Sequence, residues 1–318
     1  MPPAALRIVS YNVRYFGHAL KGLASTRISQ RSIASELARL APTADLVCLQ
    51  EIETISLRSR VALGREGRNG REHETQLEAF MAQVERAFAA RGETSPYEGY
   101  YFRAHVNQLR NIPIYTTGLA ILVNRRRLQV DAHNVEAPQH ITHHHVERWK
   151  DRKQTRICAH MRLSTYSGRP LHVFNTHLSL PTPFAREFWS ERRRMGWGPN
   201  QLHEARTLGS FVSRHAVGEP YVVCGDFNSA PGSPVWRYLV ADVGLRSAQA
   251  ELGLVDPLRP SAFPTAGFLR LRMHLDHVFY GNGVRWLDLD GTHRFGDPRG
   301  PFTGLSDHVP IVGRFRLG

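Results

Sequence analysis

Cysteine is scarce in this chain: Cys48, Cys158 and Cys224 are the only three, and each sits in an apolar, strand-like run. That excludes a disulfide framework and fits buried free thiols in a reducing compartment. No stretch of about 18 consecutive apolar residues occurs, so no membrane-spanning helix is expected. The N-terminal Met1-Pro2-Pro3-Ala4-Ala5-Leu6-Arg7 lacks the apolar core of a secretory signal, and a cytoplasmic protein is expected. Internal repeats and low-complexity linkers are absent too. With 318 residues, 42% apolar and 22% charged, the composition is that of a globular enzyme, and one domain over 1–318 is expected.

Acidic residues are in deficit, 28 against 41 Lys plus Arg, for a net charge of +13. Lysine is rare (Lys21, Lys150 and Lys153), so arginine carries the excess. It clusters at Arg58–Arg71, Arg125–Arg127, Arg148–Arg156 and Arg192–Arg194. Clustered arginine suits sequence-independent contact with phosphates, which points to nucleic acid, with an anionic lipid or membrane surface as the alternative. No protein partner is implied.

Hydrophobic periodicity orders the chain. Strands are expected at 6–11, 45–49, 99–104, 118–123, 128–133, 155–163, 170–176, 221–224, 275–280, 284–290 and 309–316. Ile33, Leu37 and Leu40 have helical spacing, as do Leu77, Phe80, Met81, Val84 and Phe88, and Leu202, Ala205, Leu208 and Phe211. Ser233-Pro234 opens a short helix to Val240 with cap and first-turn chemistry. Residues 57–71 read as a loop. Adjacent and crossover strands with interspersed helices predict an α/β fold of two packed mixed sheets flanked by helices.

Polar motifs close or follow these strands: Ser10-Tyr11-Asn12, Gln50-Glu51, Asn175-Thr176-His177-Leu178, Gly225-Asp226-Phe227-Asn228, Leu275-Asp276-His277 and Ser306-Asp307-His308. Strand Gly118–Leu122 brings no catalytic group. Loops at a sheet edge hold such groups rigidly while leaving them open to substrate. Glu51 can bind a hard divalent ion such as Mg²⁺, with Mn²⁺ possible, and Asn12 can support the metal or a phosphate oxygen. Asp226 can take a proton from an attacking water, and Asn228 can donate to a phosphate oxygen. His177, as a neutral or protonated imidazole, can stabilise charge on the pentacovalent phosphate. Asp276 pairs with His308, fixing its tautomer, which leaves Asp307 to the metal or its surroundings. His172 and His277 read as structural.

With these motifs in order from residue 10 to 308, the chain resembles the endonuclease/exonuclease/phosphatase superfamily of metal-dependent phosphodiesterases. The resemblance implies a four-layer α/β sandwich with the site at one edge of the paired sheets. It implies Glu51 as a Mg²⁺ ligand beside Asn12, Asp226 orienting or deprotonating water, Asn228 and His177 on the phosphate, and an Asp276–His308 dyad. Two branches fit less well. AP endonucleases carry tyrosine where His177 stands, and pancreatic-type deoxyribonucleases pair that histidine with a glutamate where this chain has Thr116, Thr117 and Gly118. The string Gly225–Tyr238 is more similar to the sphingomyelinase-like and deadenylase-like branches.

Residues 179–200 form a long insert in which Phe184, Phe188, Trp189, Met195 and Trp197 alternate with arginines. Trp189, Arg192, Arg193 and Arg194 are its candidate substrate-binding residues, as base-stacking platform and phosphate clamps. The tract His140–His145 reads as a loop. The leading expectation is a Mg²⁺-dependent nuclease acting on DNA or RNA by in-line attack of activated water. The alternatives are a phospholipid or inositol-phosphate phosphoesterase on the same site, or a catalytically idle polyanion-binding module.

Overall fold

The computed structural model describes residues 5–17, 27–53, 76–109, 112–142, 155–181, 195–256, 258–259, 261–268 and 271–318, with backbone only at 105–109 and 112–117. The expected loop 57–71, most of Arg148–Arg156, the histidines beyond residue 142 and insert residues 182–194 lie outside that set. The candidate substrate-binding residues Trp189, Arg192, Arg193 and Arg194 therefore have no described position.

In chain order the main elements are β1 (Leu6–Asn12), α1 (Arg27–Arg39), β2 (Leu46–Ile52), α2 (Gln76–Ala89), β3 (Tyr97–Leu109), β4 (Ile112–Asn124), β5 (Leu128–His133), β6 (Ile157–Thr165) and β7 (Pro170–His177). They continue with α3 (Pro199–His215), β8 (Tyr221–Asp226), α4 (Pro234–Arg237), β9 (Asp276–Tyr280), β10 (Val284–Asp288) and β11 (Ile311–Leu317). One sheet runs β10-β11-β1-β2-β4-β3; the other runs β9-β8-β7-β6-β5, with the two-residue strand Arg246–Ser247 on the far side of β9. Each sheet has one parallel pair, β1 with β2 and β7 with β8, inside otherwise antiparallel pairing.

Alternation along the strands produces the layers. Ile8, Leu46, Cys48, Met161, Val173, Val222 and Cys224 point between the sheets into one core. Their neighbours Val9, Tyr11, Val47 and Leu49 point outward onto Ile33 and Leu37 of α1 and onto Phe80 and Val84 of α2. Phe174 and Val223 point outward from the second sheet onto Leu208 and Phe211 of α3. Strands buried on both faces read as continuous apolar runs, which is why β1, β2 and β8 are legible in the sequence. The three cysteines are buried and free. Ser233 Oγ accepts from Trp236 N at 3.3 Å, the cap that its position predicts.

Both parallel pairs deliver their C-terminal ends to one edge of the sandwich. The carboxyl ends of parallel strands are where α/β sheets offer a crevice.

Candidate active site

A buried polar lock sits beneath that edge. Asn175 Nδ2 donates to Leu49 O at 3.0 Å and Ala120 O at 3.1 Å, while its Oδ1 accepts from Gln50 Nε2 at 2.8 Å. Both side chains are fully buried. The lock fixes the end of β7 against the end of β2, so groups from different sheets meet in one geometry.

Three of the groups above it depend on unusual backbone. β2 bulges against β4 between Gln50 and Ile52, and Glu51 has φ 59°, which turns its carboxylate out of the ladder. Gly225 has φ 147°, and a Cβ there would lie 1.9 Å from Thr176 O. Only glycine lets β8 approach β7 this closely just before Asp226. Asn228 has φ 46°, and its backbone N donates to Asp226 Oδ1 at 2.9 Å. The turn therefore intervenes between Asp226 and Asn228, and the same-face relation of an extended strand does not apply.

The site residues converge. Asn12 Nδ2 donates to Glu51 Oε1 at 3.1 Å and to Asp226 Oδ2 at 3.0 Å, tying the two sheets together across 214 residues of sequence. His308 Nδ1 lies 2.9 Å from Asp276 Oδ2, and His308 Nε2 lies 3.7 Å from Asp226 Oδ2. Thr265 Oγ1 donates to the same Asp276 oxygen at 2.7 Å and accepts from Leu275 N and Asp276 N. Burial alone would lower the His308 value, but Asp276 and Asp226 on either side raise it well above the ordinary imidazole range. Asp226, with 2% of its surface exposed, is pushed up chiefly by burial, against the pull of His308.

His177 has a different partner. Arg156 Nη1 approaches its Nδ1 at 3.1 Å. A guanidinium has no acceptor, so this contact calls for the lone pair on Nδ1, while the Asn228 NH₂ 3.2 Å from Nε2 calls for it on the other nitrogen. Nε2 faces Asp226 Oδ2 at 3.5 Å and Glu51 Oε1 at 3.9 Å. Burial, then the charges of Arg156 and His308, hold His177 well below its ordinary value. Those effects favour the neutral ring over the protonated form. Asn228 Nδ2, 3.2 Å from the same Nε2, donates to Leu178 O at 2.9 Å.

Asp307 pairs through Oδ2 with Arg14 Nη1 at 2.6 Å, while Ser306 Oγ donates to Asn12 O at 2.8 Å. Glu51 and Asp307 are the open carboxylates, 18% and 19% exposed at their side chains. Burial raises the Glu51 value, and the like charge of Asp307 raises it further. The partly exposed carboxylate of Glu51 fits a hard divalent cation, while Asp307 Oδ2 is held by Arg14. His277 and His172 lie outside this constellation. His277 Nε2 bonds Ser229 O at 2.8 Å, and His172 bridges His160 at 2.8 Å and Glu219 at 2.6 Å. Sequence reasoning did not single out Arg14, Gln50, Thr265 or Arg156 for the site. Arg156 was visible only as the end of a basic cluster.

The sequence matches the Endonuclease/Exonuclease/phosphatase family over residues 9–308. No curated protein sequence matches the chain. Among solved structures, the chain is similar to the human Nocturnin catalytic domain with bound sulfate, at 18% identity and TM-score 0.60, covering 100% of this chain and 96% of that one. ANGEL2, a 2′,3′-cyclic phosphatase in complex with adenosine-2′,3′-vanadate, is similar at 18% identity and TM-score 0.61, covering 99% and 96%. D. rerio TDP2, complexed with single-strand DNA product, is similar at 15% identity and TM-score 0.55, covering 99% and 100%.

Proposed function

The chain belongs to the endonuclease/exonuclease/phosphatase family, a class of phosphodiesterase- and phosphatase-type hydrolases generally dependent on divalent metal, and on that premise we propose that it is a Mg²⁺-dependent phosphodiester hydrolase acting on nucleic acid. The observation that carries this reading is the meeting of Asn12, Glu51, His177, Asp226, Asn228, Asp276 and His308 at one sheet edge. A polyanion-binding module has no use for a buried carboxylate beside an Asp–His dyad.

Asp226, buried and raised, is the base that orients and deprotonates the attacking water at a pH where an ordinary exposed carboxylate would be too weak. Asn228, held by Leu178 O, and His177, held by Arg156, are the groups read to contact the phosphate oxygens. Asp276 holds His308 in one tautomer, with Nε2 free to give a proton on the side of Asp226. Asp226, Asp276 and His308 bring ligand atoms within 4.8 Å of one another, but Asp276 and His308 satisfy each other, which suits a proton relay better than a metal. Glu51, with Asn12 and Asp307 beside it, would hold Mg²⁺ or Mn²⁺, which when bound neutralises charge on the phosphate oxygens.

Nucleic acid is favoured by the +13 charge and by what two similar structures hold, a single-strand DNA product in TDP2 and an adenosine vanadate in ANGEL2. The test is hydrolysis of plasmid DNA, single-stranded RNA, sphingomyelin liposomes and an inositol phosphate, with Mg²⁺ and with EDTA, by wild type and Asp226→Asn. DNA or RNA should be cleaved only with metal and only by wild type. Cleavage of the liposomes or the inositol phosphate instead would move the substrate, and unchanged turnover by Asp226→Asn would sink the mechanism.

A further inference from the structure

Gln201 lies in the first turn of α3, at the third position after the N-cap Gly198, where a glutamine side chain commonly accepts from the N-cap backbone. Its Oε1 does so, accepting from Gly198 N at 3.2 Å and from Gly196 N at 3.2 Å. Capping uses the oxygen alone. The Nε2 of the same amide donates elsewhere, to Ser179 O at 2.7 Å and to Asn228 O at 2.8 Å. With the residue 1% exposed, both hydrogens and both acceptor positions of the amide are taken. The cap accounts for half of that pairing, and the two donor bonds call for another role.

The two accepting carbonyls belong to the two strand ends that carry the site. Ser179 follows His177 at the end of β7, and Asn228 follows Asp226 at the end of β8. Asn228 stands at φ 46°, a conformation that an L-residue keeps only where its surroundings hold it. Its N donates to Asp226 Oδ1 at 2.9 Å, its Nδ2 donates to Leu178 O at 2.9 Å, and its O accepts from Gln201. One hydrogen of the Asn228 NH₂ is thus spent on Leu178 O, and the direction of the other depends on where this turn sits against Leu178 and Ser179. Gln201 Nε2 bonds both sides of that junction. The same side chain gathers the two described ends of the 179–200 insert, Ser179 on the way out and Gly196 with Gly198 on the way back.

We infer that Gln201 is a positioning residue for the hydrolysis: by bonding one carbonyl from each strand end, its Nε2 fixes the turn bearing Asn228 against the segment that follows His177, so that both side chains meet the phosphate in one geometry. The inference rests on the phosphodiesterase reading, in which Asn228 and His177 contact the phosphate oxygens, and deepens it by a residue that acts through Asn228 rather than on the substrate. Misplacing a group that contacts the transition state by about 1 Å can cost roughly a hundredfold in rate. Gln201→Glu isolates this role. A carboxylate keeps an acceptor for Gly196 N and Gly198 N and suits a helix N-terminus, so the cap survives, but it has no N–H for Ser179 O and Asn228 O.

The experiment measures kcat and KM for bis(p-nitrophenyl) phosphate in Mg²⁺ with the full chain and its Gln201→Glu, Gln201→Met, Glu204→Gln, Asn228→Ala and Gln201→Glu/Asn228→Ala variants, with a urea unfolding curve for each. Gln201→Glu should lower kcat and kcat/KM together, by roughly 10- to 100-fold. Gln201→Met, which removes the donors without adding a charge, should lose activity in the same way. Glu204→Gln is the control. Glu204 is fully buried one turn along α3 and accepts from Ser179 N at 2.8 Å and Ser179 Oγ at 2.6 Å, so it anchors the same segment, yet a carboxylate does not bond Asn228 O. Its kcat should stay close to wild type. In the Asn228→Ala background most of the cost of Gln201→Glu should vanish. Equal losses in Gln201→Glu and Glu204→Gln, tracking their unfolding midpoints, would reduce Gln201 to a structural role and overturn the inference, as would multiplicative losses in the double variant. A slow Asn228→Ala beside an unimpaired Gln201→Glu sinks the positioning alone, whereas wild-type turnover by Asn228→Ala sinks the reading of the site on which it rests.

Discussion

Asp276→Asn is the substitution that asks most of the proposed chemistry. Asp276 Oδ2 sits 2.9 Å from His308 Nδ1, the carboxylate is 1% exposed and the imidazole 9%. A buried hydrogen bond to a charged group is worth about 1.5–3 kcal/mol, and each 1.36 kcal/mol on a barrier is tenfold in rate. If the bond works fully in the transition state, its loss should lower kcat by roughly 10- to 150-fold. Asparagine can also turn its NH₂ toward Nδ1 and so impose the wrong tautomer, which carries the expected loss toward the upper part of that range. Thr265 Oγ1 donates to the same Oδ2, so it keeps an acceptor there only when the asparagine oxygen takes that position, while its bonds from Leu275 N and Asp276 N are unaffected by the choice. The assay is steady-state hydrolysis of a small phosphodiester by wild type, Asp276→Asn, His308→Ala and the double variant. If Asp276 acts only through His308, then in the His308→Ala background Asp276→Asn should cost almost nothing. Multiplicative losses would show that Asp276 acts by another route, and a single variant within twofold of wild type would refute the dyad.

Three further outcomes are expected. EDTA should abolish turnover, and Glu51→Gln should raise the Mg²⁺ concentration for half-maximal rate at least tenfold, read from a metal titration, since it removes the candidate ligand carboxylate. Burial, helped by His172 and His215, holds His160 down to about 3, so it stays neutral in the fold while the unfolded chain titrates near 6.5. Its stabilisation is complete above pH 6.5 and is lost as pH falls toward 3, at about 1.4 kcal/mol per unit. Between pH 7 and 5, urea unfolding should cost wild type about 2 kcal/mol more than His160→Phe, whose ring can stay stacked on Phe174, and equal slopes would refute this. Gly225→Ala should destabilise by about 3 kcal/mol or more, because the added Cβ meets Thr176 O at a φ that alanine resists. An unfolding midpoint close to wild type would show that the strands can part there.

How much could be read from the chain follows from how far each signal reaches along it. Strands buried on both faces are continuous apolar runs, so β1, β2, β7, β8 and β11 were legible to within a few residues. β3 was foreseen only over 99–104, yet it runs Tyr97–Leu109, because its outer half depends on pairing with β4. The Asp276–His308 pairing was likewise expected, and the structure places the two in contact. The short hairpin of Ala266–Phe268 with Leu271–Met273 was not foreseen, since three-residue strands carry no periodicity. Nothing in the local sequence around Gln50 or Asn175 distinguishes an inter-sheet lock from ordinary strand-end polar residues.

The sequence alone determined which groups arrive at strand ends and in what order, because an apolar run that stops at a polar residue is a local fact of one strand. It also determined the family, through the ordered set of those endings. Only the tertiary structure decided what each group faces. Asn12 reaches Asp226 because two sheets pack with their parallel pairs ending at one edge. Burial, and the guanidinium of Arg156 laid against Nδ1 just before β6, hold His177 below its ordinary value. Desolvation and partner choice depend on the register between strands far apart in sequence, and those are the quantities that set the charge of each group in the site.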